Sequence, residues 1–298
     1  MTKVLNEKIS RRSFFTKTGG AITGTAAASI VISTVLNSKE AAAQPFVSAE
    51  KNDTLTMLSE LKVALKKPIQ ERKWAMVIDT RKCIGCNACA VACIAQNNLP
   101  AGVTYRVVPE IEDGEYPELK RFFMPTNCMQ CEKPTCVDAA NKIIPGSMSI
   151  RPDGIVTIDY NKMKGKKVFQ AAKKACPYSN ALYYDEGKNY TDNTPAIQPY
   201  EKMKSKEYGK EFSRKETKDA TRKCHFCIDR IENGILPACV STCTGQAMYF
   251  GDANNPASIV SQYIKSKQSF VLNAGAKTSP AVRFVHDNLD ATCLKCHE

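Results

Sequence analysis

The sequence predicts an α+β fold, and three observations carry that expectation. Short apolar, β-prone runs bounded by turn residues occur at Trp74 to Asp79, Gly154 to Asp159 and Gln246 to Phe250. A close-set cysteine run, Cys83 to Cys93, follows the first of these and leads into Ala90 to Asn97, which reads as a helix. With 43% apolar residues in 298, the chain holds enough material for one large core or two small ones. Glu50 to Lys67, just before Pro68, reads as a further short helix.

The formal charge of +12 would ordinarily raise nucleic acid or an anionic membrane as a partner. The first 43 residues, however, hold six Lys/Arg and two Glu, so without them the charge is +8. Those residues read as an address. Ser10-Arg11-Arg12-Ser13-Phe14-Phe15 has the form of a twin-arginine export signal, a weakly apolar Gly/Ala/Thr/Ser stretch follows, and Ala41-Ala42-Ala43 offers a cleavage site. A retained anchor is the alternative, since nothing between Thr18 and Ser38 is charged, but that composition makes a poor membrane span. Folded export to the periplasm is therefore expected, and nothing beyond residue 43 is long and apolar enough to cross a bilayer.

Fourteen cysteines are too few for a small disulfide scaffold, so their spacing has to say what they do. Cys83, Cys86, Cys89 and Cys93 form C-x2-C-x2-C-x3-C, in which three sulfurs face one iron–sulfur cluster and the fourth reaches another. Cys128, Cys131 and Cys136 give C-x2-C-x4-C, Cys176-Pro177 looks like the closing cysteine of a run, and Cys224, Cys227, Cys239 and Cys243 give C-x2-C-x11-C-x3-C. Zinc sites also use C-x2-C pairs, but they do not explain the x2-x2-x3 spacing. Periplasmic disulfides would need partners that these runs do not supply. Each oxidised cluster with four thiolates carries roughly −2, which would offset most of the remaining positive charge.

Together the motifs resemble the four-cluster ferredoxin-like iron–sulfur subunits of molybdopterin oxidoreductases and of polysulfide, dimethyl sulfoxide, tetrathionate, nitrite and sulfite-linked systems. The resemblance runs from about Trp74 to Val285, through Cys128-Met-Gln-Cys131, Asp153-Gly154, Ala175-Cys176-Pro177-Tyr178, Cys224-His-Phe-Cys227, Pro237-Ala-Cys239 and Gly251-Asp252. It implies two interleaved bacterial ferredoxin-like domains with an extended C-terminal tail. One would comprise 74–119 and 224–252 and the other, inserted, 120–223; residues 44–73 precede them, and 253–285 would form a strap within the 253–298 tail. It also implies crossed ligation: Cys83, Cys86, Cys89 and Cys243 on one 4Fe–4S cluster; Cys93, Cys224, Cys227 and Cys239 on a second; Cys128, Cys131, Cys136 and Cys176 on a third. A fourth would need cysteines where this chain has Ala140, Lys166, Phe169 and Ala172, so three clusters are expected, with Lys166 to Lys174 as a plain helix.

Two cysteines remain. Cys293-Leu-Lys-Cys296-His297 is a c-type haem attachment motif, with His297 as the proximal ligand and His286 the nearest candidate for the distal one. His225, between two cluster cysteines, reads as a neighbour of the metal rather than a ligand. The mixed-charge stretch Glu201 to Lys223 reads as a solvated excursion. With no molybdopterin apparatus and no nucleophile–base motif, the chain reads as a wire rather than a catalyst. It would relay single electrons between a quinone-interacting membrane subunit and a catalytic or multihaem cytochrome c subunit, the haem extending the relay at the vacated end. The rivals are an enzyme acting at an open haem or cluster site and a colourless, zinc-stabilised binding module. The address is directly testable: changing Arg11 and Arg12 together to Lys is expected to leave the protein in the cytoplasm, read by fractionation. Normal periplasmic accumulation of that variant would remove the export assignment.

Overall fold

The computed structural model describes residues 52–178, 180–190, 199–266 and 269–286. The twin-arginine segment Ser10 to Phe15, the cleavage site Ala41 to Ala43 and the haem motif Cys293, Cys296 and His297 lie outside the described residues.

The chain enters through helix α1 (Asp53–Leu65), whose first amides are capped by the Asn52 side chain. Strand β1 (Trp74–Asp79) follows, buried at every position, and then helix α2 (Ala88–Asn97). Two hairpins come next: β2 (Glu110–Asp113) with β3 (Lys120–Phe123), and, beyond helix α3 (Thr135–Ile143), β4 (Met148–Ile150) with β5 (Val156–Ile158). Helix α4 (Lys166–Ala175) leads to β6 (Tyr183–Tyr184). A third hairpin, β7 (Ser205–Glu207) with β8 (Lys210–Phe212), precedes β9 (Thr221–Arg222), which pairs with β6. The chain closes with short helix α5 (Ala238–Ser241), β10 (Met248–Asp252), α6 (Ile259–Lys265), β11 (Ser269–Phe270) and β12 (Val282–Val285). The three β-prone runs and the helices expected at Ala90 to Asn97 and Lys166 to Lys174 are all present.

β1 lies inside a four-stranded sheet of order β10-β1-β12-β11. Its antiparallel partner β10 is aligned from Trp74 opposite Asp252 to Ile78 opposite Met248. This pairing brings the segments 74–119 and 224–252 together across the intervening 120–223. Trp74 stacks on Phe250 with ring centres 5.4 Å apart. Its indole Nε1 donates to Asp153 Oδ2 at 3.1 Å, which fastens the β4–β5 hairpin of the intervening segment to the central sheet.

Two segments differ from expectation. Residues 253–285 do not simply wrap the domain: β12 enters the sheet parallel to β1, with Met76 opposite Val282 and Asp79 opposite Val285. Val282, Phe284 and Val285 are buried there, and a four-residue strand paired with one some 200 residues earlier leaves no local periodic signature. Residues 201–223 are solvated on one side only. The β7–β8 hairpin inserts Glu207 into the core, where its carboxylate accepts from Tyr160 Oη at 2.5 Å, Tyr105 Oη at 3.1 Å and Arg222 Nη2 at 2.5 Å. Arg222 also donates to Asp185 at 3.2 Å, and Lys204, Lys206 and Lys210 face solvent. Burial favours the protonated acid, but the Arg222 guanidinium, His225 and the hydrogen bonds from Tyr160 and Tyr105 together outweigh it and hold the Glu207 carboxyl below its ordinary range.

Removing one member of a buried ion pair leaves the other uncompensated, so Glu207→Ala is expected to destabilise the fold by about 3–5 kcal/mol. Exposed Glu211→Ala on the same hairpin should stay within about 0.5 kcal/mol. Because the folded-state value is depressed, the Glu207 contribution is present above the ordinary carboxylate range and is lost as pH falls through the lowered value. Thermal unfolding of the two variants across acid pH checks both statements.

Candidate metal centres

Three of the C-x2-C turns share one backbone device. The residue immediately before the second cysteine has left-handed φ in the turns ending at Cys86, Cys131 and Cys227: +69° at Gly85, +48° at Gln130 and +55° at Phe226. That conformation folds the loop back so that amide groups converge on the sulfurs. Phe226 N donates to Cys224 Sγ at 3.4 Å, and beyond Cys243 the Ala247 amide donates to its Sγ at 3.2 Å. Gly85 has a second reason to lack a side chain, since a Cβ there would lie 2.5 Å from the Phe123 ring. A Cβ on Gly245 would lie 2.4 Å from the Lys82 carbonyl oxygen, so this glycine lets the segment after Cys243 approach the first cysteine loop.

The twelve described cysteines are all free thiols, and the fold gathers them into three sets of four. Cys83, Cys86 and Cys89 line one cavity with Cys243. Cys93, carried away from its own run by α2, lines another with Cys224, Cys227 and Cys239. Cys128, Cys131, Cys136 and Cys176 act on one another around the start of α3 and the end of α4. Among the described residues no three His, Cys, Asp or Glu side chains converge tightly enough for a single ion. Each set supplies four sulfurs, the number that one 4Fe–4S cluster takes.

Burial pushes most of these thiols up, to about 11 at Cys89, Cys131 and Cys224 and about 12 at Cys176. Neighbouring thiols add to the effect. Cys239 raises Cys89, and Cys128 raises Cys224. The second set adjoins both others: α2 carries Cys89 of the first and Cys93 of the second, and Gln130, between Cys128 and Cys131, donates to the Cys224 carbonyl at 2.6 Å. Cys86 is the exception: it is exposed, and the Thr244 hydroxyl, 3.4 Å from its sulfur, pulls it down.

The surroundings supply what spacing could not. Asn97 Nδ2 donates to the Cys93 carbonyl at 2.8 Å and lies 3.5 Å from Cys93 Sγ. Both ring nitrogens of His225 are engaged, Nε2 with Asn97 Oδ1 at 3.1 Å and Nδ1 accepting from Ile228 N at 3.2 Å. Burial takes His225 down to about 4, so the ring is neutral. Gln130 donates to the Cys224 carbonyl at 2.6 Å and accepts from Val156 N at 2.8 Å, joining two cysteine loops to β5.

Two buried cations stand among the sulfurs. Arg106, 2% exposed, places Nη2 3.3 Å from Cys239 Sγ and 3.2 Å from Met76 Sδ, while its Nε and Nη1 are buried without a hydrogen-bond partner. Burial works against its charge, but the sulfurs of Cys239 and Cys89 outweigh it and hold the guanidinium above its ordinary value. Lys223, fully buried, donates to the carbonyls of Val156 at 2.5 Å and Cys224 at 2.7 Å. Neither pairs with a carboxylate among the described residues. A buried cation without counter-charge is costly. Four thiolates around an oxidised 4Fe–4S core, carrying roughly −2, supply that charge, so the residues fit such a group. Lys223 adjoins Cys224 and was within reach of a sequence argument; Arg106 carries no sequence signal at all.

At the positions lacking cysteine, α3 and α4 pack directly. Ala140 and Ala172 are completely buried, Phe169 lies 5.3 Å from the Tyr184 ring, and Lys166 Nζ lies 5.8 Å over the same ring. Among the described residues no helix is long and apolar enough to cross a membrane.

Comparison with known proteins agrees with this chemistry. Residues 119–196 and 198–253 match the family described as a 4Fe-4S dicluster domain. A selenate reductase subunit of Mesobacillus selenatarsenatis is 40% identical over 290 residues, covering 93% of this chain and 97% of that one. The iron–sulfur subunit of the arsenate respiratory reductase of Shewanella sp. (strain ANA-3) is 30% identical, covering 70% and 94%. A tetrathionate reductase subunit of Salmonella typhimurium is also 30% identical, covering 72% of each chain.

The Gly85 geometry yields a test. Gly85→Ala places a methyl against Phe123 at a positive φ and is expected to cost about 2–4 kcal/mol from strain and overpacking together. It should lower both iron content and thermal midpoint, whereas Gly102→Ala, where nothing lies within 4 Å, should leave iron content unchanged.

Proposed function

The chain belongs to the family of 4Fe–4S iron–sulfur subunits of reductase complexes, and we propose that it relays single electrons through three clusters in a periplasmic respiratory complex. It is an electron-transfer subunit and not the catalytic one. The observation that carries the relay is the adjacency of three cysteine sets: α2 carries Cys89 of the first and Cys93 of the second, and Gln130 of the Cys128 loop donates to the Cys224 carbonyl of the second at 2.6 Å.

In this reading Cys83, Cys86, Cys89 and Cys243 hold the first cluster; Cys93, Cys224, Cys227 and Cys239 the second; Cys128, Cys131, Cys136 and Cys176 the third. The direct packing of Ala140 against α4, with Phe169 on Tyr184, supports deletion of a fourth. The relatives named for selenate and arsenate point to an oxyanion reductase as catalytic partner, with a quinone-interacting membrane subunit at the other end. The twin arginines Arg11 and Arg12 support export of the folded, loaded protein.

We further assign a haem c to Cys293, Cys296 and His297. Its tether begins at His286, whose Nδ1 lies 2.7 Å from the Thr80 hydroxyl, three residues before Cys83. Six residues lie between His286 and Cys293, so the haem cysteine stands at most about 25 Å along the chain from this contact near the first cluster. The Thr80 contact engages Nδ1 of His286.

The exported protein is expected to contain about twelve cluster irons and one haem iron per chain. Cys293→Ser with Cys296→Ser should abolish covalent haem, leave the cluster iron intact and slow quinone-linked turnover. About sixteen cluster irons would remove the three-cluster reading, and turnover at the wild-type rate would remove the haem from the relay.

A further inference from the structure

We infer that Arg106 and Lys223 are intercluster cations, each seated at one of the two junctions of the relay and each setting the potentials of the two clusters it separates. The inference rests on the cluster assignment above and extends it to residues that ligate nothing.

The placement is specific. Arg106 places Nη2 3.3 Å from Cys239 Sγ of the second set and 3.2 Å from Met76 Sδ of β1, the strand that leads into the Cys83 loop of the first. Lys223 is held to the Cys224 carbonyl at 2.7 Å, at the edge of the second set, and to the carbonyl of Val156 at 2.5 Å, whose own amide donates to Gln130 of the Cys128 loop in the third. The remaining fully buried cation among the described residues, Arg222, is compensated by Glu207 and Asp185. The two cations beside the sulfurs are thus the two that lack carboxylates.

Uncompensated charge at those points has a direct electrostatic consequence. Each transfer oxidises one cluster by one electron as it reduces the next, so one negative charge moves along the row. A fixed cation stabilises the reduced form of the clusters on either side, raising their potentials. It gives or takes no proton, and its effect on the cluster farther away is much smaller. Arg106 reaches this position from a loop between α2 and β2, and Lys223 from the residue before Cys224; both are positioning residues rather than ligands.

The test is a redox titration of the iron-loaded full chain followed by EPR, each signal assigned by its loss in a cysteine variant of its own set. Arg106→Gln is expected to shift the first and second clusters toward the oxidised form at least tenfold, about 59 mV lower for one electron, and to leave the third in place. Lys223→Met should shift the second and third and leave the first. Arg106→Lys and Lys223→Arg, which keep the charge, should move the potentials by less than half as much. Full iron content with all potentials unmoved, or an equal shift of all three, would overturn the inference while leaving the cluster assignment intact. Should Arg106→Gln or Lys223→Met lose iron, the charge-preserving partner decides: it must regain the iron, and a variant equally empty assigns that residue a packing role. Absence of three cluster signals in the wild-type protein would instead defeat the assignment itself.

Discussion

The register of β1 against β10, Trp74 opposite Asp252 through Ile78 opposite Met248, governs the metal-binding region. β1 delivers the chain into the Cys83 loop, and the segment just before β10 carries Cys239 and Cys243. Fixing the two strands side by side therefore brings residues some 160 positions apart to the same cavity. The contact is apolar, with Trp74 stacked on Phe250 and Phe226 edge-on to the same ring. A one-residue slip would reverse the faces of the strand and carry the cysteines out of register together.

Around that contact the fold solves a problem of charge rather than of volume. Among the described residues twelve cysteines are held free, most of them with burial opposing ionisation, and two cations are buried beside them without carboxylates. A chain holding only protonated thiols would leave Arg106 uncompensated. Thiolates bound to iron restore the balance, so packing and cofactor are mutually dependent in this molecule. The Glu207–Arg222–Asp185 network, by contrast, is closed on itself and stiffens the wall beside His225 without needing the metal.

Much of this was legible in the sequence because it is local. The β1, β5 and β10 runs, α2 after the first cysteine loop and α4 in place of a cluster loop all follow from short patterns. The grouping of the cysteines was accessible only through family resemblance, since Cys93 and Cys243 belong to sets far from their neighbours in sequence. What stayed hidden was long-range. β12 is four residues whose parallel partner lies some 200 residues earlier in the chain. Glu207 lies in a stretch of alternating charge whose solvated side, Lys204, Lys206 and Lys210, masks the inward one. Arg106 has no local motif, because what defines it is the absence of a carboxylate in three dimensions.

Cys86 gives the row of sulfurs an asymmetry with chemical consequences. It is the exposed member of its set, and the Thr244 hydroxyl favours its thiolate, whereas burial favours the protonated thiol at most of the others. Exposure and thiolate character are also the two properties that govern attack by oxidants. The set that reaches the surface is thus the set most open to peroxide and oxygen. Damage would begin at this sulfur and leave the more deeply buried sulfurs sheltered, so the geometry of a single turn fixes where the molecule wears out.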